Sequence, residues 1–328
     1  MHIEFTSHIE RWTPASVASA KAEADAQVRV RRLALAAESA GFDRALIADP
    51  RGRADNGQLA SFLLHNTLQL GVVMSHAAGI LAPQVAAEQL ATLDQLSGGR
   101  LSVRMVPGED DLDHETIFAR TDEYLVLLKR LWANELPFDH EGPHYSVRAA
   151  LSRARPFGRA RVPLVLGGLS GTAVKVAARH ADLFELPAAT AAGTRQIIAR
   201  VRAAASGFGR ADRIRFSVPI RPVIAGSRAE AWALADRLPH DADSTRLVGT
   251  AEHVALALLD YCELGVGEFV VHGLDQPQEL VAFGRDVAAV VRRSQARHEA
   301  HMAEMPPRGL WQGAAFPPRG RRGIRYRI

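Results

Sequence analysis

The residues best suited to chemistry in this chain are a glycine-rich turn, two histidines and a few arginines. The turn Gly167-Gly168-Leu169-Ser170-Gly171-Thr172 follows an apolar run and opens a helical pattern. Such a turn leaves backbone N–H groups free at a helix N-terminus, where the helix dipole favours an anion. Ser170 and Thr172 add hydroxyls, so phosphate is the candidate ligand; an ordinary N-capped turn is the competing reading. His8 and His76 follow the first and third strand-like runs. Histidine there can act as a base or polarise an oxygen near neutral pH, against the alternative of a hydrogen-bonded structural side chain. Arg51, Arg53 and Arg221 are candidate clamps for a sulfonate or carboxylate, because guanidinium meets such oxyanions as a bidentate fork. Most surface arginines merely solvate. His298 and His301 stand on a helix end without a third ligand nearby, so no metal site is expected.

The elements that must position these residues alternate. Strand-like runs are 3–6, 44–48, 69–75, 101–106, 162–166, 182–186, 214–220 and 268–272. Helical patterns cover 28–40, 83–96, 116–132, 172–181, 192–206, 228–237, 251–264 and 277–294. Eight such units predict an α/β fold, a (β/α)8 TIM barrel, with 251–264 as an extra helix before the last strand. In a barrel the strand C-termini share one face, which would gather His8, His76, Val106 and the glycine turn. Residues 136–155, rich in Pro, Gly and aromatics, read as an excursion of short-hairpin type after the fourth helix. The barrel is expected over 1–296, with an irregular basic arm over 297–328.

The chain has 328 residues, 47% of them hydrophobic, which suits one large core. The opening lacks a basic start followed by an apolar run, and no stretch approaches a spanning helix. One cysteine, Cys262, forms no intramolecular disulfide. A soluble protein of the reducing cytoplasm, without a membrane partner, is the expectation. The pI is about 9.6. Six arginines and no acids lie beyond residue 305, and without them the formal charge falls from +4 to −2. The basicity is therefore a tail property, with no stacking platform or helix-turn-helix beside it, and no nucleic-acid partner is expected.

The stretch Ala91-Thr92-Leu93-Asp94-Gln95-Leu96-Ser97-Gly98-Gly99-Arg100 reads as a helix end, a glycine stop and a strand start. It resembles the hallmark joint of the bacterial luciferase-like flavin monooxygenases, "ATLDxLSxGR". Other motifs follow that family's order. Leu33 to Asp43 resembles "AxxAExxGFD". Phe138 to Tyr145 is similar to "FxGxHYxV", and Pro163 to Gly171 to the strand and loop that hold the flavin phosphate. Leu247-Val248-Gly249-Thr250 resembles the "xVGT" lead into the final helix. The nearest branch is that of the alkanesulfonate monooxygenases.

The resemblance implies an FMNH2-dependent monooxygenase that takes reduced FMN from a separate flavin reductase and oxidises a small substrate with O2. It implies Gly167, Gly168, Leu169, Ser170 and Gly171 at the phosphate. Met74, Val106, Pro107, Gly108 and Phe118 are implied near the flavin, and a homodimer or homotetramer is implied as the assembly. His8, His76, Arg53 and Arg221 are the catalytic candidates. Alternatives are a deazaflavin- or flavin-dependent hydride-transfer enzyme, or a flavin-binding or structural subunit that has lost catalysis. Several family positions differ. Phe118 stands for a tyrosine, Arg53 or Ala54 for a cysteine, Ile220 and Pro222 for an arginine and histidine, and Leu274-Asp275-Gln276 for Tyr-Pro-His. The family's lid insertion is nearly absent from 241–248. An alkanesulfonate is therefore not the expected substrate, and Pro306–Ile328, with Trp311, Phe316 and Tyr326, is the candidate replacement lid.

Overall fold

The computed structural model describes residues 2–9, 20–47, 55–106, 113–239 and 241–304, the side chains of 20–26, 299 and 301–304 excepted. The chain runs β1 (Glu4–His8), α1 (Ala20–Ser39), β2 (Arg44–Ile47), α2 (Asn56–Asn66), β3 (Gly71–Ala77), α3 (Pro83–Leu96), β4 (Leu101–Val106) and α4 (His114–Ala133). A hairpin of β5 (Phe138–Glu141) and β6 (Ser146–Ala150) follows. Then come β7 (Leu164–Gly167), α5 (Gly171–His180), β8 (Leu183–Glu185), α6 (Ala191–Ser206), β9 (Arg215–Ile224), α7 (Arg228–Ala235), β10 (Thr245–Gly249), α8 (Ala251–Glu263) and β11 (Glu268–Val271). Helix α9 (Pro277–Phe283) passes through a π-helical turn, Gly284–Ala288, into α10 (Ala289–Glu304).

Strands β1, β2, β3, β4, β7, β8, β9 and β11 pair in parallel in that order, and β11 returns to β1. This is the expected (β/α)8 barrel, and all eight expected strands form. Two elements escaped the sequence reading. Helix α2 begins at an Asp55 cap, whose side chain accepts from Gln58 N at 2.9 Å. Strand β10 pairs with the far half of β9 and lies outside the closed ring. Strand β9 thus runs four residues past Ile220, and Arg221 lies inside it rather than just beyond it.

The barrel interior is layered, because residues two apart on a strand share a face. At the N-terminal end sit Glu4, Arg44, Glu268 and Arg215. Arg44 Nη1 donates to Glu4 at 2.8 Å and to Glu268 at 3.0 Å, and Thr6 Oγ1 donates to Glu268 at 2.6 Å. Above them Leu46, Val73, Val165, Leu183 and Val270 form an apolar layer. His8 ends β1 and His272 directly follows β11, both above that layer.

Local chemistry explains the joints. Gly98 and Gly99 stop α3 with φ of +66° and +85°, where a side chain would strain. The hallmark acid and base beside them are clamps. Asp94, fully buried, accepts from Phe157 N at 2.8 Å and from the Arg159 guanidinium. Arg100 donates to the carbonyls of Leu64, Leu70 and Ser97 at 2.7, 2.9 and 2.8 Å. The hairpin is held by Glu123, which accepts from His144 N and Tyr145 N at 3.0 and 3.1 Å. On the outer wall Lys129 Nζ donates to His180 Nδ1 at 2.7 Å, and His180 Nε2 donates to Asp122 at 2.8 Å, tying α4 to α5.

Candidate active site

The C-terminal ends of the strands surround a cavity of about 600 Å³. Its walls come from β1, β2, β4, β7, β8, β9 and β11, with α4 and the 241–244 segment closing one side. On one flank stands the glycine turn. Gly168 has φ of +111°, and a Cβ there would lie 2.9 Å from the Ala173 Cβ and 3.5 Å from Phe118. Backbone must pass where no side chain fits. Ser170 caps α5, its Oγ accepting from Ala173 N at 3.1 Å and its carbonyl from Val174 N at 3.0 Å. The N–H groups of Gly171 and Thr172 precede these in the first turn and, by helix geometry, face outward. Arg200 Nη1 donates to Leu169 O at 2.8 Å, bringing a guanidinium to the same turn. Open space surrounds Gly171. This cradle suits a phosphate. Above it Phe118, Met105, Val106 and Leu166 give apolar walls of a size suited to a flat ring system.

Strand β1 lies four places round the ring from β7, so His8 faces the cradle across the mouth. Its ring centroid is 4.2 Å from that of His272 on the neighbouring strand. His8 Nδ1 is buried with no hydrogen-bond partner among the described residues. Burial, then the positive surroundings of His272, Arg104 and Arg221, pushes His8 down to about 3. Burial pushes His272 down as well. Both imidazoles are therefore neutral at physiological pH, each offering one N–H and one lone pair. Arg104 reaches across from β4 to Glu185 on β8 in a bidentate pair, 2.7 and 2.6 Å. Against the opposing effect of burial, the Glu185 charge raises Arg104 further. Arg221 donates to Asp241 at 3.0 Å, and its guanidinium lies against Gly273, where a Cβ would come within 2.7 Å. Burial alone would raise Asp241; the Ser244 hydroxyl, the Asp243 N–H and Arg221 hold it at about 2.

The sequence candidates divide on this geometry. His8, Val106, Phe118, Gly167, Gly168 and Leu169 line the cavity together. Ser170 and Gly171 form its helix cap. Met74 and His76 do not join them. Val73 belongs to the barrel interior, so Met74 and His76, one residue off, point outward to the helices. There His76 Nε2 meets the Tyr124 hydroxyl at 2.8 Å, and burial lowers its pKa to about 4. Both residues line a different cavity of about 630 Å³ between α2 and α3. Arg221 is engaged with Asp241 rather than standing as an open clamp. Arg51, Arg53, Pro107, Gly108 and the arm 306–328 lie outside the described residues.

Sequence reasoning missed His272, Arg104, Glu185, Asp241, Asp243 and Arg200. One signal was available. Glu4-Phe5-Thr6-Ser7-His8 and Glu268-Phe269-Val270-Val271-His272 share the pattern E-F-x-x-H. They pair in register, Glu4 to Glu268 and Phe5 to Phe269, so each contributes an acid to the bottom layer and a histidine to the mouth.

Comparison with known proteins follows the same lines. The sequence profile of luciferase-like monooxygenases matches residues 9–246. The chain belongs to the luciferase-like monooxygenase family. As a member it is a flavin-dependent monooxygenase, an oxidoreductase. Among solved structures the barrel is similar to a riboflavin lyase determined with modified FMN and riboflavin (TM-score 0.77, 19% identity, 90% of this chain and 92% of that one). It is also similar to EDTA monooxygenase from Chelativorans sp. BNC1 (0.76, 18%, 90% and 94%). A third is the coenzyme F420 dependent tetrahydromethanopterin reductase from Methanopyrus kandleri (0.71, 15%, 89% and 100%). At these identities the three likenesses show the fold. The alkanesulfonate branch is not singled out. Among the described residues no helix is long and apolar enough to cross a membrane.

Proposed function

We propose that this family member binds reduced FMN supplied by a separate, diffusing flavin reductase and uses O2 to oxygenate a small organic molecule at the barrel mouth. The observation that carries the reading is the Gly168 cradle, opening into one cavity with the His8–His272 pair. The turn 167–171 and Arg200 would hold the phosphate. Phe118, Met105, Val106 and Leu166 would hold the ring. Reduced flavin, when bound, supplies the electrons that activate O2 for transfer of one oxygen atom. The protein's own share is positioning and exclusion of water. Leu46, Pro219 and Val270 line the cavity floor and wall and keep water from the reacting groups. His8 is too weak a base to remove a proton in the way the sequence suggested. Held neutral, it and His272 position an oxygen or nitrogen atom by hydrogen bonding and can pass a proton without storing charge. Arg104, locked by Glu185, adds a fixed dipole with no net charge.

The reading includes a homodimer or homotetramer. Leu96 of α3 and Ile80 are exposed along the α2–α3 groove, Val85 is exposed elsewhere on α3, and sedimentation checks the assembly. The test of function is titration with photoreduced FMN under nitrogen, followed by air. FMN binding with substrate-dependent oxygen uptake supports it. Binding of a deazaflavin with oxygen-independent turnover would replace it with the hydride-transfer reading, and failure to bind either flavin would leave a structural subunit.

A further inference from the structure

The substrate end of the cavity carries a charge pattern of its own. Two arginines are present, and each already has a carboxylate. Arg104 is clasped by Glu185 through two hydrogen bonds, and Arg221 is bound by Asp241. A further carboxylate, Asp243, lines the same cavity; its charge also acts on Arg104, and no cation among the described residues lies within ion-pair distance of it. Along the cavity lining one guanidinium thus faces two carboxylates. The two imidazoles between them add no positive charge, since burial and the neighbouring arginines keep both neutral. A neutral imidazole presents a lone pair, and His8 Nδ1 is a buried nitrogen still without a partner. The surrounding walls, Leu46, Pro219 and Val270, are apolar.

An oxyanion is poorly served here. A sulfonate or carboxylate would have to displace Glu185 or Asp241 from an arginine and would sit beside Asp243. A protonated nitrogen on an apolar skeleton meets the opposite situation. It has Asp243 as counter-charge, imidazole nitrogens as acceptors and hydrocarbon walls for the rest of the molecule. We infer that the substrate of this enzyme is a small hydrophobic amine, seated with its ammonium group toward Asp243 and the His8–His272 pair. The inference rests on the mouth being the substrate site, as in the proposed function, and adds the class of molecule.

The test uses one skeleton with three head groups: 2-phenylethylamine, 2-phenylethanol and 2-phenylethanesulfonate. Binding to the full-length protein is measured by calorimetry or ligand-observed NMR, without turnover. The amine is expected to bind about tenfold more tightly than the sulfonate, with the alcohol between, as one charge-assisted hydrogen bond provides. Asp243→Asn, a change on an exposed loop, should bring the amine down to the alcohol while leaving the alcohol unchanged. Tighter binding of the alcohol or the sulfonate, an amine preference that survives Asp243→Asn, or no binding by any of the three overturns the inference. FMN binding is titrated separately by flavin fluorescence. A protein that binds FMN and prefers the sulfonate defeats this inference alone, whereas one that binds the amine and no flavin defeats the proposed function alone.

Discussion

The same strands build both ends of the barrel interior, yet the two ends use charge in opposite ways. At the N-terminal end β1 and β11 contribute Glu4 and Glu268, and both share Arg44. Burial would raise Glu4, but the hydrogen bonds and charges of Arg44 and Arg215 hold it at about 2. The charged groups at this end close on one another. Four residues further along the same two runs stand His8 and His272, tilted against each other above a cavity, where, among the described residues, a buried nitrogen has no hydrogen-bond partner and Asp243 has no ion-pair partner. The apolar layer of Leu46, Val73, Val165, Leu183 and Val270 separates the two regimes. A self-satisfied network stabilises, whereas a network with open valences is competent to bind. The bottom therefore reads as structure and the mouth as function.

That contrast can be broken most forcefully at the bottom. Arg44→Met should lower stability by about 3–5 kcal/mol in urea unfolding, because it leaves Glu268, 1% exposed, as an uncompensated buried acid. FMN affinity of the remaining folded protein should not change; a loss of affinity would show that the ends are coupled. At the mouth, Gly168→Ala should weaken FMN binding at least about tenfold while costing about 1–2 kcal/mol of stability, since its φ of +111° and the nearby Ala173 both resist a side chain. Unaltered FMN affinity in a folded variant would remove the turn as the phosphate site.

Smaller effects sharpen the comparison. His8→Phe should leave the thermal midpoint nearly unchanged at pH 8 and sharply reduce turnover. The folded state holds His8 near 3, below its ordinary 6.5, so the stability linked to its neutrality is present above pH 6.5 and lost as the pH falls toward 3. The variant should therefore be less acid-sensitive over that window, which a pH series of denaturation midpoints measures. A second pH effect lies on the outer wall. Burial, then the charges of Arg161 and Arg210, lowers Lys129 to about 7. Between about pH 7 and 10.5 the unfolded chain binds more protons than the folded one, so stability should rise with pH there. Lys129→Met should flatten that rise, and an identical slope in the variant would rule out Lys129 as its source.

Much of the fold was legible in the sequence because its signals are local. Gly98-Gly99 can only be a stop, and Ser170 and Asp113 sit where caps belong. The excursion after α4 carried enough Pro and Gly to announce a hairpin. Helix α2 carries its start signal in a single residue, the Asp55 cap, directly after an arginine- and glycine-containing stretch. Strand β10 escaped notice because its five residues lead directly into the Thr250 cap, and the 247–250 motif marks only the helix entry. The candidate site was legible only in part. Position after a strand selected His8 correctly for the mouth but also selected His76, whose strand turns it outward. A one-residue difference in phase separates the barrel interior from the helix layer, and apolar neighbours on both sides of β3 conceal that phase.

The sequence by itself determined the scaffold: eight strand–helix units, the glycine-stopped joint, the capped glycine turn and family membership. These depend on period, cap and turn chemistry, which act within a few residues. Tertiary structure alone decided which charges cancel. Arg104 and Glu185 are 81 positions apart, Arg221 and Asp241 lie 20 apart, and His8 meets His272 only because the last strand closes on the first. Barrel closure brings these residues into one low-dielectric space, where pairing and burial set their protonation and so the kind of molecule the mouth can hold.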